Sequence, residues 1–173
     1  MKYVFSILFV LCVFLAPSVQ AQIAVADADR LMGQSIAGKD LIEKRRQQIT
    51  NYEFEFGQKE DSLQTQEQAL IAQRGTIPQE VYQTRIVTFR KSLAQAQTEF
   101  DRKKARLDRS FSRAIQELQR EIGLAVKDVA DEKQLQIVAP KKGLLFAEGE
   151  IDITDDVMSR LNQRVRSIKL EGE

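Results

Sequence analysis

GQSIAGKD, residues Gly33–Asp40, places two glycines and a lysine at the spacing of a phosphate-binding loop. In such a loop backbone amides cradle phosphates, the lysine reaches the terminal ones, and a Ser or Thr hydroxyl after it binds magnesium. Here Asp40 stands where that hydroxyl belongs, and its carboxylate would face phosphate charge. The β-like run upstream also ends near Asp27, several residues too early to feed the loop. Gly33 and Gly38 are therefore read as shaping the turn into a long helix, and no cofactor is expected. Paired carboxylates, Glu53/Glu55 and Asp155/Asp156, are the next candidates for chemistry. The first pair belongs to a solvated helix face, and the second to a helix start, where acidic groups favour the dipole. The run RKKARLDR, Arg102–Arg109, is basic but has no interleaved aromatics, and it opposes an acidic helix.

What is missing narrows the chemistry further. The only cysteine is Cys12, and there is no histidine. Zinc and copper sites lean on these residues, so a metal site is not expected. Cys–His and Ser–His–Asp nucleophiles cannot be assembled. No enzyme is expected.

Val4–Ala16 is apolar apart from Ser6, follows Lys2, and leads to Val19-Gln20-Ala21. Its length falls short of the roughly 20 residues of a spanning helix. A basic start, an apolar middle and a small-residue exit describe a secretory signal, residues 1–21, cleaved near Ala21. Export without a second cysteine excludes an internal disulfide framework. Losing Lys2 leaves basic and acidic residues equal in number, so the exported chain is neutral and no nucleic-acid partner is expected.

These residues must be carried by a frame that is mostly helical. Residues 35–133 are rich in Gln, Glu, Lys, Arg, Ala and Leu, with Pro78 the one proline. Gly75 can close one helix in the left-handed conformation, and Thr76 with Gln79 resembles a capping box opening the next. One helical hairpin arm with its tip at residues 74–78 is the expected element. Ile42, Ile49, Phe56, Leu63 and Leu70 recur every seven residues going out; Ile86, Leu93, Phe100, Leu107 and Ala114 do so on the return. Such a repeat keeps one stripe against a partner helix. The companion positions Arg45, Tyr52, Lys59 and Gln66 are weak or polar, so the seam is half filled. From Phe111 to Ala130 the stripe widens enough to face a core.

Residues 22–34 and 134–173 remain to build that core. Ile23 and Val25 alternate in one short strand; LQIVA and LLFA suggest two more, divided by Pro140 and Gly143 as in a hairpin. Asp152–Leu170 reads as a terminal helix with Thr154 as N-cap. A body of roughly 50 residues is marginal alone, so its strands are expected to complete a sheet with other copies.

Three segments carry a resemblance: QIAVADADRLMGQSIAGK (22–39), the long hairpin, and AVKDVADEKQLQIVAPKKGLLFAEGEIDITDDVMSRLN (125–162), in which Asp152–Val157 is the most specific piece. Over nearly its full exported length the chain resembles the Skp (OmpH) family of periplasmic chaperones. That resemblance implies an α+β subunit, a coiled-coil hairpin tentacle on a small β body that closes as a barrel in a homotrimer. It also implies an ATP-independent holdase that keeps unfolded outer-membrane β-barrel proteins between its tentacles. A structural coiled-coil spacer or assembly scaffold of the envelope is the alternative. Tyr52, Phe54, Ile77, Tyr82, Val87 and Phe89 are the candidate client contacts; Ile23, Val25, Ile137, Val138, Leu145 and Phe146 are the candidate trimer body. Well-known family members are strongly basic, so at neutral net charge only a weak membrane or lipopolysaccharide contact is expected.

Overall fold

The computed structural model describes residues 22–170, so the leader expected at residues 1–21 lies outside the described residues. The chain begins with strand β1 (Ile23–Ala26) and runs directly into a short helix α1 (Ala28–Gln34). Two long helices follow, α2 (Ile36–Ala72) and α3 (Gln79–Glu132). Strand β2 (Ile137–Pro140), a 3-10 turn at Gly149–Ile151 and helix α4 (Thr154–Arg164) complete the order. Among the described residues no helix is long and apolar enough to cross a membrane.

Helices start where side chains can satisfy free backbone amides. Asp27 caps α1 by accepting from the Arg30 amide at 2.9 Å. Ser35 separates α1 from α2 and accepts from the Gly38 amide at 3.1 Å. Gly38 is required by a close approach: a Cβ there would lie 1.9 Å from the Met32 carbonyl oxygen. At the far end of the hairpin, Gly75 takes φ of 81°, the left-handed conformation that lets the chain reverse. The proposed capping box at Thr76 does not form. Pro78 is the residue before α3, and the Thr76 hydroxyl instead donates back to the Gln73 carbonyl at 3.0 Å.

The sheet departs from the expected hairpin. β1 pairs with β2 in parallel, Ile23 opposite Ile137 through Ala26 opposite Pro140. A parallel pair needs a long crossover, and the whole helical hairpin supplies it. Leu144–Ala147 forms no strand, because no partner edge reaches it after the turn at Gly143. Instead, Asp152 bridges to Val25, and the Ile153 amide donates to the Val25 carbonyl at 2.9 Å. β1 is thus enclosed, while the outer edge of β2 stays open.

The core sits where the arm meets the sheet. Leu31, Leu41, Leu118, Ala125, Val157 and Leu161 have no exposure, and Ala24, Val129 and Ile153 pack among them. The terminal helix is shorter than Asp152–Leu170: it ends at Arg164, and Ile168 and Leu170 are buried in the segment that follows. That segment is tied to the root of α2, where Ser167 donates to Asp40 at 2.7 Å and Lys44 donates to Ser167 at 3.0 Å.

Thr154 is not the N-cap of α4. It is buried, its hydroxyl accepts from the Asp27 amide at 2.9 Å, and it donates to Asp152. The N-cap position falls on Ile153, which makes no side-chain cap bond, and the preceding Asp152 accepts from the Thr154 amide through Oδ1 at 2.9 Å.

Candidate functional site: the helical arm and the open sheet edge

The phosphate-loop spacing at Gly33–Asp40 has no loop to serve. Gly33 lies inside α1, and Ile36–Asp40 is the first turn of α2. Two amides of that first turn are already used, Gly38 by the Ser35 hydroxyl and Ile36 by the Asn162 side chain at 2.9 Å. Among the described residues no group of three His, Cys, Asp or Glu could hold a metal ion.

The arm is about 55 Å of α2 against the distal part of α3, from 37 helical residues at 1.5 Å each. Its register is fixed midway. Phe56 and Phe100 lie with ring centroids 4.5 Å apart, and Lys103 pairs with Glu55. The Glu55 bond to Lys103 raises that ammonium above its usual range. Nearer the body Arg45 lies 4.7 Å over the Phe111 ring and reaches Asp108 at 3.1 Å.

Packing along the seam is uneven. Leu63, Ala96 and Leu107 are buried, whereas the heptad residues Ile42 and Leu93 are 53% and 51% exposed. Leu93 leaves the seam because the chain turns Ser92 and Ala96 inward there. An opening of about 160 Å³ persists beside Tyr52, Phe56, Lys59, Ala96 and Phe100. A second, about 270 Å³, lies toward the tip between Gln66, Leu70, Arg85 and Phe89. Lys59 and Gln66 occupy companion positions, and polar side chains there leave space that Leu or Ile would fill.

The six arm residues singled out from sequence separate into two groups. Tyr52 is half-buried, packs against the core cluster, and lies 5.5 Å from the Lys103 ammonium. Tyr82 and Phe89 are likewise half-buried, and Ile77 is half-buried at the tip. Phe54 and Val87 point outward, 66% and 65% exposed. Ile71, Val81 and Leu93 are also exposed on the distal half; Leu93 was expected in the seam, whereas Ile71 and Val81 lie outside both heptad rows, and that position is the signal that could have found them.

The six body residues also divide. Val25 is buried within β1 and Val138 is half-buried against the core. Ile23, Ile137, Leu145 and Phe146 are exposed, Phe146 by 80%, as is Leu144, in the segment that follows β2. Contiguous exposed apolar side chains next to unpaired strand groups are a ready surface for another chain.

Ion pairs also tie the body's segments together. Lys141 donates to Asp152 at 2.6 Å, and that bond, with those from Thr154, lowers the Asp152 carboxyl to about 2. Lys142 reaches Asp29 and Lys133 reaches Asp156, each at 2.8 Å, which raises both ammonium groups.

A family model described as outer membrane protein (OmpH-like) matches residues 22–161. A crystal structure of an outer membrane chaperone (OmpH-like), so described, from Caulobacter crescentus superposes with a TM-score of 0.73. It covers 87% of this chain and 89% of its own at 18% identity, a likeness of fold. No curated protein matches the sequence.

Proposed function

The chain belongs to the OmpH-like outer membrane protein family, and from that premise we propose that it is an ATP-independent periplasmic holdase for unfolded outer-membrane β-barrel proteins. In this reading the leader is removed near Ala21. Residues 22–34 and 134–173 form a trimerisation body, and residues 35–133 form the arm. Three copies join through the open β2 edge and the exposed Leu144–Phe146 segment, and clients sit between the three arms. One observation carries the holdase reading. The distal arm has an incompletely packed seam and exposes Phe54, Ile71, Val87 and Leu93 with no core of its own to bury them. Such side chains offer many weak contacts to an unfolded chain, and no nucleotide or metal is needed for them. Any membrane or lipopolysaccharide contact is weak at neutral net charge.

The test is light scattering of an urea-denatured outer-membrane barrel protein diluted into buffer. The exported protein is expected to suppress aggregation at near one trimer per client. Phe54→Ser with Val87→Ser is expected to weaken client binding by about tenfold, or 1.4 kcal/mol. Unchanged aggregation at trimer excess would instead favour an envelope spacer.

A further inference from the structure

The two faces of the arm carry opposite charge at matched height. On α2, Glu53, Glu60 and Glu67 recur every seven residues, each three positions ahead of a seam residue, Phe56, Leu63 or Leu70. They therefore form one line along one flank of the seam. On α3, Lys91 and Arg102 line one groove on the outer, opposite flank with the neutral Gln95 and Thr98 and with Glu99, and Arg106 extends that line by one turn. All six charged side chains are exposed, and among the described residues none of the six takes part in an ion pair. Arg90 and Lys104 lie on the acidic flank without reaching those carboxylates.

Register makes the two lines comparable. Phe56 against Phe100 and Glu55 against Lys103 set residue 60 of α2 level with about residues 96–98 of α3. The acidic line is about 21 Å long and the basic line about 22 Å, at 1.5 Å per residue. Their midpoints, Glu60 and the Thr98–Glu99 step, lie within about two residues of the same level along the arm.

We propose that the acidic line of one arm docks on the basic line of the neighbouring arm within the same assembly. The occupant is a second copy of this chain. Parallel arms around a closed ring meet in a heterologous way, each giving a different face to each neighbour, and like heights face one another. Opposite signs at equal height and equal length suit that contact. Arms then close on one another at low ionic strength and part when salt screens the charges or a client enters. This inference rests on the trimeric reading above.

Thr76 at the tip is the labelling site. In purified exported protein Thr76→Cys is the only thiol, since Cys12 lies in the leader. Spin labels there report tip-to-tip distances by pulsed dipolar spectroscopy, and sedimentation of the same samples reports assembly separately. Raising salt from 20 mM to 0.5 M is expected to lengthen the mean distance by roughly 10 Å, the tip displacement for about 10° of rotation on this arm. E53K/E60K/E67K should lengthen it at low salt. Adding K91E/R102E/R106E, which swaps the two lines, should restore the short distance. An assembled trimer whose tip distances ignore salt and reversal would overturn the docking, as would reversal that the swap does not rescue. A monomer by sedimentation would overturn the trimeric reading itself.

Discussion

Asp152 shows how one carboxylate holds the junction of three segments. Lys141 follows β2, Thr154 opens α4, and Asp27 follows β1, and all are gathered by Asp152 and the Thr154 hydroxyl. The lowered carboxyl means the folded state binds its proton less readily than the unfolded chain does. Stability from this group is therefore complete above about 4 and is lost as pH falls from there through about 2. Asp152→Asn is expected to cost about 1 kcal/mol at pH 7, after allowing for solvent screening. The cost should shrink toward pH 2.5, and thermal melts at both pH values measure it. Equal loss at both pH values would assign the effect to packing. Thr154→Val leaves the Asp27 amide without its acceptor, for about 1–3 kcal/mol by the same assay. The sequence marks Asp152–Val157 as specific and Thr154 as a cap, yet its bond partner stands 127 positions away. Local spacing reaches the residue; only tertiary contact reveals what it does.

The arm shows the same division at the scale of elements. Its heptads were legible, and Phe56, Leu63, Phe100, Leu107 and Ala114 do meet the facing helix. Ile42 and Leu93 do not: Ser92 and Ala96 turn inward around Leu93, and at the root of α2 Leu41 takes the buried place beside Ile42, neither of which a strict seven-residue count registers. The strand expected at Leu144–Ala147 failed for a related reason. Propensity makes a strand possible, but a partner edge decides whether it pairs. The parallel pairing of β1 with β2 was likewise hidden, since the two strands are joined only through the hairpin. Packing density along α3 predicts its dynamics. Amide exchange is expected to be fast across Asn51–Arg90 and slow across Phe111–Ala130, because local opening follows buried apolar contact. Leu118→Ala, which empties a fully buried site, should cost about 2–5 kcal/mol, whereas Leu93→Ala should stay within about 0.5 kcal/mol. Uniform protection along α3, measured by exchange mass spectrometry, would contradict an arm that loosens toward its tip.

For the whole molecule, the question is whether folding and assembly are one event. Segment lengths alone suggest so, since a body of roughly 50 residues is marginal. The core, however, is not confined to those residues. Leu41 from the root of α2 and Leu118, Ile122, Ala125 and Val129 from the base of α3 are part of it, with Ile168 and Leu170 closing one side. The arm base thus gives each subunit a core that the body residues could not supply by themselves. The association proposed above would then have a separate surface, the open β2 edge with Ile137 and the exposed Leu144, Leu145 and Phe146 of the segment that follows it. Phe146→Asp places a charge on that surface and removes nothing from the subunit core. It is expected to turn the proposed trimer into monomer in analytical ultracentrifugation while far-UV circular dichroism keeps its helical signal. Val138→Asp differs, because Val138 packs against the core and a charge there cannot stay hydrated. That variant should lose both assembly and the cooperative melt. Loss of helix in Phe146→Asp would mean that the subunit cannot stand alone and that the barrel must close before the arm base can pack. A trimer that survives Phe146→Asp would move the interface away from this edge altogether.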